Sequence, residues 1–280
     1  MSAWGRADVR VEVEAALEAV AGLRFHQGLR RGWPEARAEA AVREAAALAR
    51  LEGVRISDDD LRVHSMEDAS PAGAQTGEGR REERGAHPLD PGGALALGIW
   101  RSQWNLVGHM APLNTRGPVT RARVAGPALV AGLHRDICSV LLPRGLVRAG
   151  AVAIPTDPAA LRGALALVSS DSPDLPALVA AAALRAQFRM AEVFIPGSLA
   201  LGGALERWVL VRRGVDPTGV AVISSLDDAD PQEAGRALAG WAQGDDDGIA
   251  AWLIHVARSL TRGARVGEDV ALRVQAGRLG

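Results

Sequence analysis

The chain has no lysine and no tyrosine, and a single cysteine among its 280 residues. All 32 basic residues are therefore arginine, a bias that reflects a GC-rich, bacterial-like coding genome rather than a binding task. One thiol, Cys138, excludes an internal disulfide and fits a reducing compartment. On a helix expected over 133–142, with no partnered histidine evident in sequence, it reads as a small core residue rather than a nucleophile. No stretch approaches the roughly 20 uninterrupted apolar residues of a membrane span. The opening Met-Ser-Ala-Trp-Gly-Arg also lacks a signal-peptide core, so a cytoplasmic protein with no membrane partner is expected. Zinc-ligand spacing, a Walker loop and a strand-then-glycine dinucleotide fingerprint are missing too. A net charge of −1 gives no bias toward nucleic acid.

What is present is apolar and helical in rhythm. At 48% hydrophobic residues the chain can bury one large core or two small ones. Helices are expected over 9–23, 34–51, 92–110, 126–142, 158–168, 175–190, 201–211, 232–241 and 245–260, with Pro34 suited to a helix start. The stretch 65–91 is rich in Gly, Ser, Pro and charges of alternating sign, and reads as a flexible linker. It divides N-terminal helices (1–64) from a helical domain (92–265), followed by a strand-like or loose tail (266–280). Val220 to Ser224 is short and β-branched, either a strand or an extended connector. The acidic runs at 58–60 and 245–247 read as helix caps rather than metal ligands, and His64 and His87 lack ligand spacing. Trp100 and Trp104 share a helix face; they suit a core seam better than a base-stacking platform.

The densest information lies in Phe188-Arg-Met-Ala-Glu192-Val-Phe194-Ile-Pro196-Gly197-Ser198-Leu199-Ala200-Leu-Gly202-Gly203-Ala204. It reads as a helix, a tight loop broken at Pro196-Gly197, and a second helix whose free N–H groups and dipole face the loop. Such a terminus is a place for an anion. Arg189 and Arg207 flank it, and a solvated helix face is the ordinary fate of such residues.

Together with its order along the chain, this segment resembles the core of the Fic (Fido) domains, whose signature is His-Pro-Phe-x-Asp/Glu-Gly-Asn-Gly-Arg-x-x-Arg. Phe188 and the Gly202-x-Ala204 step set one ungapped register. In that register the signature His falls on Glu192, the Pro on Val193, the Phe on Phe194, and the acidic metal-binding residue on Pro196. Gly-Asn-Gly becomes Gly197, Ser198 and Leu199, the phosphate-binding Arg becomes Ala200, and the second Arg becomes Gly203. Only Phe194 and Gly197 survive. Upstream, Leu48-Ala-Arg-Leu-Glu52-Gly53 resembles the family's inhibitory helix, with Leu48 where Ser or Thr is usual. An ordinary helix capped at Gly53 fits the same residues, and without an Arg at 203 Glu52 would turn to water or a backbone donor. Leu133-His134-Arg135-Asp136-Ile137 and Gly150-Ala-Val-Ala-Ile154-Pro155 resemble the helix and the β-flap that accompany the core.

The resemblance implies a mainly α Fic-like bundle with a small β-hairpin flap. Family members use the His as base, the acidic residue for magnesium on the nucleotide, and the arginines for phosphates. With these gone, a pseudoenzyme is expected that acts by binding or regulation, with a protein as the possible partner and no cofactor or metal. The alternatives are a diverged, AMPylation-like nucleotidyltransferase using ATP and Mg with Glu192 as base and the loop Gly197, Ser198 and Leu199 on the phosphates, and a scaffold without ligand.

Overall fold

The computed structural model describes residues 3–69, 89–115, 126–169 and 174–278. Near the N-terminus lie α1 (Ala7–Arg24), α2 (Trp33–Leu51) and α3 (Asp58–Ala69); α4 (Pro91–Gly108) and α5 (Gly126–Cys138) follow. The C-terminal half holds α6 (Pro158–Ser169), α7 (Ala177–Met190), α8 (Ser198–Arg212), α9 (Ser225–Ala229), α10 (Pro231–Gln243) and α11 (Asp246–Gln275). Aspartates start several of them. Asp90 accepts from Gly93 N–H at 2.6 Å, Asp230 from Glu233 N–H at 2.9 Å and Asp245 from Gly248 N–H at 2.7 Å, and Pro91 and Pro231 fill first-turn positions that need no donor. Ser57 does the same for Asp60 N–H at 3.0 Å.

Helix α8 is the axis of the molecule. From Ala200 to Leu210 every residue is buried, so it has no water-facing stripe and neighbours must cover all its sides. One apolar cluster gathers Leu48, Leu97, Ile137, Phe188, Phe194 and Leu205; the other gathers Leu23, Ala40, Leu178, Val220, Trp252 and Leu260. Each fully buried Leu or Phe contributes about 1.5–3 kcal/mol relative to exposure. Helix α2 feeds both clusters, so residues on either side of 65–91 share one interior. Within that stretch, 65–69 extend α3, and the central 70–88 lie outside the described residues.

Two expectations need correction and one open alternative is decided. The β-flap expected at Gly150 to Pro155 is absent: a 3-10 turn, Ala149–Ala151, opens the stretch, and the described residues contain no β-strand. Ala and Gly there have little side chain to pack on a pleated surface, and the N–H of Ala153 (φ 59°) goes to His134 Nδ1 at 2.8 Å instead of a strand partner. Of the two readings of Val220 to Ser224, the connector is the one found: it is buried, turns at its end into α9, and is tied to α11 by Val222 N–H to Gly263 C=O at 3.1 Å. The tail expected from 266 is helix to Gln275, because Val270 and Ala271 are buried and Val266 and Val274 pack beside them on the same cluster. Among the described residues no helix is long and apolar enough to cross a membrane.

Candidate functional site

The turn between α7 and α8 is built by small residues in fixed conformations. A Cβ on Gly202 would lie 2.4 Å from Phe188 Cβ, so the two helices touch at the positions that set the sequence register. Gly197 stands before α8 at φ 85°, and a side chain there would also strike Ile137 Cγ2 at 2.7 Å. The Ile195–Pro196 peptide bond is cis. Ser198 Oγ accepts from Val193 N–H at 3.1 Å and sits 3.2 and 3.1 Å from the carbonyls of Phe188 and Ala191, one of which takes its proton. That hydroxyl is spent on holding the loop closed. Val193 and Phe194 are buried beneath it, whereas Glu192 is exposed.

His134 braces the turn from α5. Its Nδ1 accepts from Ala153 N–H at 2.8 Å, which leaves the proton on Nε2 to donate to Pro196 C=O at 3.1 Å. The ring also packs on Phe194, with centroids 4.8 Å apart. Burial lowers its pKa, so the imidazole stays neutral. Cys138 Sγ lies 3.5 Å from the same Nε2, a histidine contact one helical turn away that the sequence reading overlooked. Burial pushes the thiol up to about 11, which keeps it protonated and poorly nucleophilic.

The end of α2 meets the start of α8. Glu52 closes α2, followed by Gly53 at φ 86°, with Gly53 N–H to Arg50 C=O and Val54 N–H to Ala49 C=O, both 2.9 Å. This geometry aims the Glu52 carboxylate at α8, where Oε1 accepts from Ala200 N–H at 2.9 Å and Leu199 N–H adds to its stabilisation. Burial nevertheless pushes the Glu52 carboxyl above its ordinary value; these N–H groups oppose the shift and the nearby Glu192 carboxylate adds to it. One turn earlier, Leu48 fills the space beside Gly203, where a Cβ would lie 2.7 Å from Leu48 Cδ2. Glu52, Leu199, Ala200 and Gly203 are thus brought together, and the donor Glu52 finds is a backbone one.

The arginines depart from expectation. Arg189 pairs with Asp227, and Arg207, 1% exposed, donates to Gln103 Oε1 at 2.8 Å and Gly219 C=O at 2.6 Å. Neither is on a solvated face, because α8 and the inner side of α7 have no such face to offer. Sequence reasoning also missed a buried charged layer: Arg185 binds Glu206 at 2.7 Å, and Asp227 meets Arg185 at 3.5 Å, Arg189, and His255 Nε2 at 2.7 Å. Burial alone would raise the Asp227 carboxyl, but Arg185, the His255 hydrogen bond and Arg189 hold it well below the carboxylate range. Its sequence trace is the pair Arg185 and Arg189, four apart on an otherwise apolar helix.

No protein-family profile and no curated protein matches the sequence. Among solved structures, the chain is similar to a Fic family protein from Desulfovibrio desulfuricans G20, with a TM-score of 0.63 over 93% of this chain and 74% of that one. The fold is Fic-like. At 14% identity the likeness speaks for the architecture alone. On that Fic-like fold, the register set by Phe188 and Gly202 gives a turn whose residues do not fit a magnesium-bound nucleotide. Pro196 offers no side-chain oxygen, Ala200 and Gly203 offer no cation, and the facing groups are the carboxylates of Glu52 and Glu192. Among the described residues no group of three or more His, Cys, Asp or Glu is placed to hold a metal ion.

Proposed function

We propose that this Fic-fold protein transfers no nucleotide and acts by binding, as a pseudoenzyme that engages or regulates a protein partner. The observation that carries the reading is the hydrogen bond from Ala200 N–H to the Glu52 carboxylate at 2.9 Å. The N-terminus of α8 is where a phosphate would gain most from free N–H groups and the helix dipole. Glu52 already takes that position, and a phosphate arriving beside it would meet like charge. At about 4 Å such repulsion amounts to roughly 1 kcal/mol in water and about 4 kcal/mol at a partly shielded site, multiplied by the charges on the phosphate chain. The nucleotidyltransferase alternative needs cations to offset this. Arg189 and Arg207 are the nearest in sequence, and each would first leave a buried partner, a step that costs several kcal/mol.

Incubation of the purified protein with labelled ATP, GTP, CTP or UTP, with magnesium or manganese and with lysate proteins, tests the reading. No covalent label is expected on the protein or on any target. Label that disappears in Glu192→Gln would overturn the proposal and establish the diverged transferase. A thermal-shift screen separates binding from a bare scaffold, since a ligand at 100 times its Kd adds about 2.7 kcal/mol of stability.

A further inference from the structure

Away from the α7–α8 turn, residues of α2, α3 and α4 line an open cavity of about 280 Å³. Trp100 and Trp104 both line it, their rings stacked with centroids 6.2 Å apart and planes inclined by 17°. Trp100 is buried as a core residue, but Trp104 is 45% exposed and Met66, also in the lining, 57%. Most of the remaining lining is Ala38, Val42 and the carboxylate pair Glu35 and Glu39. Apolar surface of this kind, left open to water beside a concave space, favours a ligand that covers it.

The charges decide what kind of ligand. Glu39 is 5% exposed and fully engaged: Oε1 accepts from Arg43 Nε at 2.8 Å and an Arg62 terminal nitrogen at 2.6 Å, and Oε2 from Arg62 Nε at 3.0 Å. Arg62 gives its remaining nitrogen to Asp59. The guanidinium that the described lining contains is therefore committed. Among the described residues Glu35 makes no hydrogen bond or ion pair, so it is the lining carboxylate left without a counter-charge. A negative site walled by an indole face suits a positive charge carried on an apolar body, because the ring quadrupole and the free carboxylate act on the same ligand charge.

We infer that this cavity binds a small organic cation, of the quaternary or alkylated ammonium class, between the Trp104 indole and the Glu35 carboxylate. The inference does not rest on the reading of the α7–α8 turn. Both groups are exposed, so their replacement leaves the fold intact, which a thermal melt verifies. The probe is benzyltrimethylammonium chloride, followed by calorimetry and by the Trp104 indole N–H resonance, with benzyl alcohol as the uncharged control. Saturable binding is expected, about tenfold tighter for the cation than for the alcohol. Glu35→Gln should remove most of that preference, and Trp104→Ala or the cavity-filling Ala38→Leu should abolish saturation. Equal affinity for the alcohol, undiminished binding in Trp104→Ala, or no saturation to about 10 mM probe would overturn the assignment. Retention on phosphatidylcholine vesicles would overturn the small-molecule source in favour of a lipid headgroup.

Discussion

Replacing Glu52 tests whether its role is that of an acceptor or of a charge. In Glu52→Ala the N–H groups of Leu199 and Ala200 lose their partner in a site closed by α2. Each buried donor left unpaired costs about 1–3 kcal/mol, and loss of an N-terminal cap about 1 kcal/mol, so a loss of about 2 kcal/mol is reasonable. Glu52→Gln keeps an amide oxygen for the same donors while removing the buried charge and its repulsion by Glu192. Because the folded-state pKa of Glu52 is raised, the protonated form is the one folding favours. That stabilisation is complete below the ordinary glutamate value of 4.5 and is lost as pH rises through the higher folded-state value. At neutral pH, Glu52→Gln should therefore match or exceed the parent in urea unfolding, and its stability should lack the parent's decline as pH rises above the ordinary glutamate value of 4.5. Glu52→Ala should melt about 4 °C lower, at about 2 °C per kcal/mol for a chain of this size. Equal destabilisation by Gln and Ala would refute the argument, since it would mean that the anion itself holds α2 to α8.

Two further perturbations follow from the packing. Gly203→Arg drives a side chain into Leu48, so a loss of about 2–3 kcal/mol is expected by denaturant unfolding, with recovery in the double variant with Leu48→Ala, where the guanidinium can reach Glu52. Asp227→Asn strips the counter-charge from Arg185 and Arg189 and should cost about 3–5 kcal/mol, or prevent folding. Since the Asp227 pKa is depressed, its contribution is present above the ordinary aspartate value of 3.8 and fades as pH falls through the lower folded-state value, a dependence the Asn variant should lack in acid titrations.

Legibility in the sequence followed the range of the interactions. The caps at Asp90, Asp230 and Asp245 act within three residues, and the Phe188–Gly202 contact needs only that two neighbouring helices pack. The end of α11 was hidden because Gly263 and Gly267 look like helix breakers. They are glycine for close approach: a Cβ would lie 2.8 Å from Val222 C=O at the first and 2.9 Å from Val220 C=O at the second, contacts with a segment distant in sequence. The flap was expected from resemblance, and its own small residues carried no strand signal. At the candidate site, the meeting of Glu52 with α8 was foreshadowed by the Glu-Gly step, but its backbone partner emerged only from the turn geometry. Burial of Arg189 and Arg207 depended on Asp227, Gln103 and Gly219, none of which is local to them in sequence.

The charged layer around Asp227 sets which helix faces are allowed to meet. Seams made largely of alanine and leucine tolerate small slips, because one methyl replaces another at little penalty. A one-residue slip of α11 turns its face by about 100° and carries His255 off the Asp227 carboxylate, while α7 must still deliver both arginines. The interior therefore contains a combination lock whose tumblers lie on four separate helices, and a misaligned bundle leaves ions stranded in oil.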